Sequence, residues 1–424
     1  MGTLFRGSTR GAKQGPYISQ FMLLGTGNKA GTRTPTDGKI IYGVQSVAQQ
    51  LEVAADGIDF MTNWSDWLHV QNGADTGKQE RYPACRRVAT PRDLATYVHF
   101  DALYQAYLNA CLILLDAGVP TDGGNPIAQS REKNSEGFAT WGAPHILSLV
   151  TEVATRGLRA VRRQKFQIHR RARPEVIAAR LAQVANGHTG HMDPEAVQKI
   201  EAMLAELGHG QADPNRPLIL DWIAQHNAAQ TTSLGAPAVA NPVDAGCNYL
   251  LPMAFSEGSP MHPADGAGHA TVAGACVTIL KAFFESELSL ASVPGAATLF
   301  EADRADALNP AARQADVTIG DELDKLAANI SIGRNMAGVH FYSDYYDSLR
   351  LGERIAVGIL EEQMLTYQEP VRLSLRSFDG EQITISTEGT GASGDVTTTV
   401  SGPLSRAAWW VKDIVDYGIA PTIG

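Results

Sequence analysis

Met261-His262-Pro263-Ala264-Asp265-Gly266-Ala267-Gly268-His269-Ala270 runs without a break into an apolar stretch that ends at Phe284. Pro263, Gly266 and Gly268 make the first part a turn, since proline fixes its own φ and glycine tolerates the backbone angles a turn demands. The run from Ala270 to Leu280 is apolar on nearly every face, which predicts a buried helix. The chain therefore carries a helix start with two histidines beside it. Such a start presents unpaired N–H groups and the positive end of the helix dipole, so it suits an oxyanion, and Gly268 lets the backbone come close to one. By itself, a glycine-rich turn before a helix is more often only a turn.

Two further stretches change that balance. The first is Arg163-Gln164-Lys165-Phe166-Gln167-Ile168-His169-Arg170-Arg171-Ala172-Arg173-Pro174, and the second is Gly333-Arg334-Asn335-Met336-Ala337-Gly338-Val339-His340-Phe341-Tyr342-Ser343-Asp344. Lys165 offers a point charge, while Arg173 and Arg334 offer planar forks of donors. Any one of these cations alone reads as a structural salt bridge. Three on separate segments imply a ligand with more than one negative charge.

In order and spacing the three stretches resemble the signature motifs shared by vanadium-dependent haloperoxidases and type 2 phosphatidic acid phosphatases: K-x(6 or 7)-R-P, P-S-G-H and S-R-x-x-x-G-x-H-x-x-x-D. The longer spacing from Lys165 to Arg173 resembles the bromoperoxidase branch. Arg163 to Glu175, Tyr249 to Phe284 and Asp93 to Leu115 are also similar to red-algal and bacterial bromoperoxidases, so the resemblance covers most of the chain. It implies a mainly α-helical bundle enzyme with a vanadate pocket built from 163–175, 262–270 and 333–344. Vanadate would be held by Lys165, Arg173, Ala267, Gly268, Arg334 and His340, with one imidazole nitrogen of His340 bonded to vanadium. Asp344 is the candidate partner for the other nitrogen.

The resemblance also assigns roles. His269 would be the acid–base residue that takes a proton from hydrogen peroxide and later returns one, with His262 and Lys165 completing the catalytic set. The position of His262 is histidine in bromoperoxidases and phenylalanine in fungal chloroperoxidases, so bromide and iodide are the expected substrates. Hypohalous acid would then halogenate an organic acceptor. Gln164, where relatives vary, is a candidate for tuning the halide pocket. One departure stands out: Ala267 replaces the motif's serine, whose hydroxyl resembles a vanadate donor. Losing one hydrogen bond to a charged group costs roughly 1.5–3 kcal/mol if nothing replaces it, or about one to two decades of affinity.

Two other readings use the same residues. A soluble acid phosphatase would employ His340 as nucleophile and His269 as the acid that protonates the leaving group. An anion-binding assembly protein would treat Ala267 as a mark of lost catalysis. Retention of two histidines, two arginines and a lysine argues against the latter.

The chain has 424 residues, 44% hydrophobic and 19% charged, ordinary values for a globular protein with a large core. A formal charge of −10 argues against general nucleic-acid binding, which needs a basic surface. No apolar stretch is long enough for a simple membrane span, and no apolar segment of the secretory kind follows the basic residues of 1–20. Four cysteines, Cys85, Cys111, Cys247 and Cys276, neither require a disulfide nor exclude a Cys85–Cys111 bridge.

Residues 1–37 read as an extended arm suited to a neighbouring subunit, and 38–424 as a single helical domain. Trp64 and Trp67 are spaced for one helical face. Thr90-Pro91-Arg92-Asp93 caps a helix expected over 91–117. Because that helix is apolar on more faces than one neighbour covers, a symmetric dimer or larger shell is expected. The polar loop 120–137 matches a calcium loop of the algal enzymes, with Ile127, Gln129, Asn134 and Glu136 on its ligand positions; a loop lying in water is the alternative. Helices are expected over 144–165, 174–187, 194–208, 320–330 (amphipathic) and 349–367, with 209–260 mostly connecting structure. Alternation around Asp379-Gly380 predicts a small β-hairpin over 371–386. A polar loop over 387–402 and a last helix with Trp409 and Trp410 follow.

Overall fold

The computed structural model describes residues 5–27, 34–128, 136–388, 395–402 and 405–411. Their helices are α1 (Trp64–Gln71), α2 (Pro91–Phe100), α3 (Gln105–Asp116), α4 (Ala143–Arg163), α5 (Pro174–Ala185), α6 (Pro194–Glu206), α7 (Ile219–Ala229), α8 (Gly268–Phe283), α9 (Ile319–Met336), α10 (Tyr342–Met364) and α11 (Arg406–Val411). The fold is a mainly α-helical bundle of the expected class.

Helix α8 is its axis, buried from Ala270 to Phe283 and packed by α4, α9 and α10. The crossing with α10 is backbone on backbone. A Cβ added to Gly274 would stand 1.9 Å from the Leu349 carbonyl oxygen, and one added to Gly352 would stand 2.0 Å from that of Thr271. Only glycine fits at both points, so α8 and α10 lock in one register.

Helix α9 opens on a capping box between Thr318 and Asp321 and, contrary to the amphipathic expectation, is buried from Ile319 to Arg334. Its charges are paired internally: Lys325 Nζ lies 2.9 Å from Glu322 Oε2, and Lys281 Nζ from α8 lies 2.9 Å from Asp324 Oδ1. The expected arm supplies the cover. Ile18, Phe21, Met22, Leu23 and Leu24 enter the main core, the Gln20 N–H donates to Glu322 Oε1 at 2.6 Å and the Ser19 N–H to Asn329 Oδ1 at 2.8 Å. Residues 5–27 are therefore bound to their own chain rather than reaching out from it.

The helix expected over 91–117 is two helices, α2 and α3, bent by 99°. Asp101 ends α2 in the extended region at φ −65° and ψ 146°, and its carboxylate bonds His269. That tertiary bond overrides a local preference that favoured a continuous helix. Tyr107, Ala110, Cys111 and Leu114 of α3 lie in the main core, so the face expected to seek a second subunit is covered within the chain.

Other differences are smaller. Helix α7 lies inside the region read as connection, where with α1, α5 and α6 it closes a second core around Trp64, Ala182, Leu204 and Leu220. Trp64 and Trp67 stack at 4.8 Å. Helix α10 begins seven residues before the expected start.

Among the described residues, three two-stranded antiparallel sheets pair β1 (Lys39–Tyr42) with β2 (Gln45–Ala48), β3 (Leu51–Val53) with β4 (Ala84–Arg86) and β5 (Phe300–Ala302) with β6 (Leu308–Pro310). The C-terminal hairpin is β7 (Arg372–Arg376) with β8 (Gln382–Glu388), and β9 (Asp395–Val400) adds a third strand where a polar loop was expected. Polar threonines on its exposed face hid the alternation. All four cysteines are free. Among the described residues no single helix is long and apolar enough to cross a membrane.

The paired charges on α9 make a stability prediction. Lys325 and Glu322 are both fully buried, so Lys325→Met leaves an uncompensated carboxylate and should cost about 3–5 kcal/mol in chemical denaturation. Lys199→Met, which breaks an exposed pair with Glu195, should leave the midpoint unmoved.

Candidate active site

Four helix ends converge on a cavity of about 350 Å³ whose wall includes Lys165, His262, Gly268, His269, Arg334 and His340. Leu103, Leu158 and Phe166 form an apolar side.

Helix α4 runs into a wide turn over Gln164–His169, which turns Lys165 inward while its neighbours stay exposed or half-exposed. The Lys165 ammonium donates to the carbonyls of Pro263 at 2.7 Å and Ala264 at 3.1 Å. Burial, then the nearby Arg173, pulls it down to about 7. Arg173, just before α5, donates from Nε to the His262 carbonyl at 2.8 Å and from Nη1 to the Val339 carbonyl at 2.7 Å. Arg334 sits in the last turn of α9, donates to the Val98 carbonyl at 3.2 Å and has a buried Nε with no partner. Burial first lowers both guanidinium groups to about 10.

His340 lies in the connection between α9 and α10. Its Nδ1 is 3.0 Å from Asp344 Oδ2, and its Nε2 is 3.2 Å from Arg173 Nη1. A guanidinium only donates, so Nε2 accepts and Nδ1 carries the proton. Burial, then Arg173, Arg334 and Lys165, pushes its pKa well below the usual range. The imidazole is neutral, with its Nε2 lone pair directed at a cation.

Asp344 is in turn held by the Phe341 N–H at 3.0 Å and by Arg171 Nη1 at 2.8 Å. Arg171 also donates to Ser343 Oγ at 2.7 Å and lies over the Phe341 ring at 4.2 Å. Sequence reasoning passed over Arg171 because it took the first motif's cations to be Lys165 and Arg173. Asp101 was missed too, since a residue inside a continuous helix gives no sign of leaving it. In the structure Asp101 Oδ1 stands 2.9 Å from His269 Nε2. Burial lowers the His269 pKa, and Asp101 opposes that shift.

The remaining expectations divide. His262 Nδ1 accepts from Arg173 Nη2 at 2.8 Å, and burial, then Lys165 and Arg173, brings it down to about 4. Ala267 is buried, its N–H donates to Ser348 Oγ at 2.7 Å, and neither it nor Gln164 lines the cavity. Gln129 and Asn134 lie outside the described residues, and the calcium reading rests on the resemblance alone. Three cations, an orphaned guanidinium Nε, a helix-start glycine and a neutral imidazole whose Nε2 lone pair accepts from Arg173 together suit a tetrahedral oxyanion.

The vanadium-dependent bromoperoxidase of Corallina pilulifera is 46% identical over 400 residues, covering 91% of this chain and 63% of that protein. Over that length the chain is similar to the vanadium-dependent haloperoxidases. The family model described as the VCPO second helical-bundle domain matches residues 216–368. The bromoperoxidase of Corallina officinalis is 45% identical over the same length and that of Ascophyllum nodosum 30% identical over 390 residues. The chain thus spans about 63% of the length of the Corallina haloperoxidases it matches. A solved homohexameric bromoperoxidase from Ascophyllum nodosum shares the fold, with a TM-score of 0.67 at 24% identity, covering 93% of this chain and 62% of that one.

Lys165 predicts a pH dependence. A bound dianion favours the ammonium, so the pKa rises from about 7 in the free protein to a higher value in the complex. Below pH 7 the group is charged in both states and affinity is flat. Above it the free protein must regain a proton to bind, and affinity should fall by about tenfold per pH unit until the pKa of the complex is reached. Sulfate, a dianion throughout, reads this by calorimetry. Lys165→Met should weaken binding and flatten the profile; a flat wild-type profile contradicts the assignment.

Proposed function

We propose that this chain binds vanadate against His340 Nε2 and oxidises bromide and iodide with hydrogen peroxide, passing hypohalous acid to organic acceptors. The observation that carries this reading is the neutral His340, its Nδ1 proton fixed by Asp344 and its Nε2 facing the three-cation cradle. When bound, the oxyanion supplies a Lewis-acidic centre that polarises peroxide. The net reaction consumes one proton: bromide, hydrogen peroxide and a proton give hypobromous acid and water.

The chain's own groups divide the rest. Lys165, Arg173 and Arg334 balance the oxyanion's charge from three sides, and the amide of Gly268 adds a donor at the helix start. Asp101 holds the Nε2 proton of His269, so proton uptake from hydrogen peroxide falls to Nδ1, and Asp101 stabilises the imidazolium that results. His262, its pKa lowered to about 4 first by burial and so neutral near pH 7, offers a hydrogen-bonding wall without adding charge beside the halide. The apolar side at Leu103, Leu158 and Phe166 limits water.

The decisive assay loads purified protein with vanadate and measures bromide oxidation beside phosphate-ester hydrolysis. Bromide oxidation should require vanadate and disappear in His340→Ala, while the variant keeps its fold by circular dichroism. Phosphate-ester hydrolysis without any bromide oxidation would make the protein a phosphatase instead.

The same reading takes the protein to be a homo-oligomer, in keeping with the homohexameric Ascophyllum bromoperoxidase. Leu218, Ile219 and Trp222 around α7 are 42%, 41% and 60% exposed, an apolar cluster that a second copy would cover. Light scattering should give a multiple of 45.4 kDa; a monomer at micromolar concentration overturns the oligomer.

A further inference from the structure

A second cavity, of about 390 Å³, has Asp101 in its wall, the same residue whose carboxylate bonds His269 in the active site. Its apolar surface comes from Tyr82, Tyr97, Phe100 and Leu51, and its charged groups are Glu52 and Asp101. Among the described residues no lysine, arginine or histidine lines it. Two of the rings brace each other, Tyr82 and Phe100 meeting edge to face at 5.8 Å.

The surroundings are also acidic. Burial pushes the Tyr82 hydroxyl up to about 12, and Glu80, Glu257 and Glu52 add to that rise, although Glu257 itself is paired with His99 at 2.9 Å. Asp101 has the buried Arg334 near it on the active-site side. Glu52 is exposed and forms no ion pair within 4.0 Å among the described residues.

Each class of ligand meets this lining differently. An anion is repelled by the carboxylates. A neutral hydrocarbon would strip water from them without replacing it, which is costly. A metal ion lacks ligands, since among the described residues no group of three or more histidine, cysteine, aspartate or glutamate side chains is placed to hold one. An organic ammonium ion satisfies the whole set: its charge meets ring faces and carboxylates, and its apolar part fills the space between the rings. The volume falls within the range usual for small-molecule sites.

We propose that this cavity is a binding site for a small organic ammonium ion, held between the Tyr82, Tyr97 and Phe100 rings and neutralised by Glu52 and Asp101. The site is separate from the oxyanion cradle, and its lining shares only Asp101 with the active-site hydrogen bonds. Because Asp101 belongs to both places, an occupant shares the carboxylate that orients His269. The ligand therefore sits one side chain from the proposed acid–base residue.

Calorimetric titration of the full chain with benzylammonium, benzyl alcohol and benzoate tests this without vanadate, peroxide or bromide, so the result is independent of the peroxidase reading. Benzylammonium should bind at least about tenfold more tightly than benzyl alcohol, and benzoate should give no binding. Glu52→Gln and Tyr82→Leu, each shown by melting to be folded, should each weaken benzylammonium by about tenfold. Equal affinity for the alcohol, no binding of the ammonium, or unchanged affinity in both variants would overturn the proposal.

Discussion

The backbone contact between α8 and α10 is the constraint on which the rest of the molecule depends. At Gly274 and Gly352 the two helices approach until no side chain fits between them, so neither can slide or roll without a clash. That register carries the start of α8, with Gly268 and His269, to the start of α10, with Asp344 and Ser348. The Ala267 amide, bonded to Ser348 Oγ at 2.7 Å, marks the point where they meet. Helix α9 packs on the same pair and delivers Arg334 from its C-terminal turn, where a cation also suits the dipole. The site is thus a by-product of how three buried helices must cross.

Charge then decides what such a site can hold. Lys165, Arg173 and Arg334 are drawn out of water, and each is less willing to stay charged than in solution, burial being the first cause in every case. Carbonyl oxygens of Pro263, Ala264, Val339 and Val98 offset some of that cost. They do not offset all of it, as the orphaned Arg334 Nε indicates. A multiply charged anion would complete the set. Two of the site's histidines are meanwhile each tied to a carboxylate, His340 to Asp344 and His269 to Asp101. One imidazole can therefore act as a ligand while the other moves protons.

Most of this cradle was legible in the sequence because its residues fall in three short motifs with fixed spacing. His340 and Asp344 are four apart and meet at 3.0 Å for that reason. What stayed hidden depended on long-range contact. Asp101 becomes a partner of His269 only because α2 breaks, and a break without proline or glycine leaves no local mark. Arg171 acts through Asp344, some 170 positions away in the chain. The charges of α9 read as an exposed face because periodicity cannot register partners from Gln20 or Lys281. Conversely, Ala267 looked like a gap in the cradle, whereas its amide is already engaged by Ser348 and its side chain does not line the cavity.

The most direct measurement is a crystal structure of the protein grown with vanadate and phased at a wavelength where vanadium scatters anomalously. The account requires one anomalous peak bonded to His340 Nε2, within hydrogen-bond reach of Lys165, Arg173, Arg334 and the Gly268 amide. A vanadium peak elsewhere, or full vanadate occupancy with His340 Nε2 still bonded only to Arg173, would contradict it.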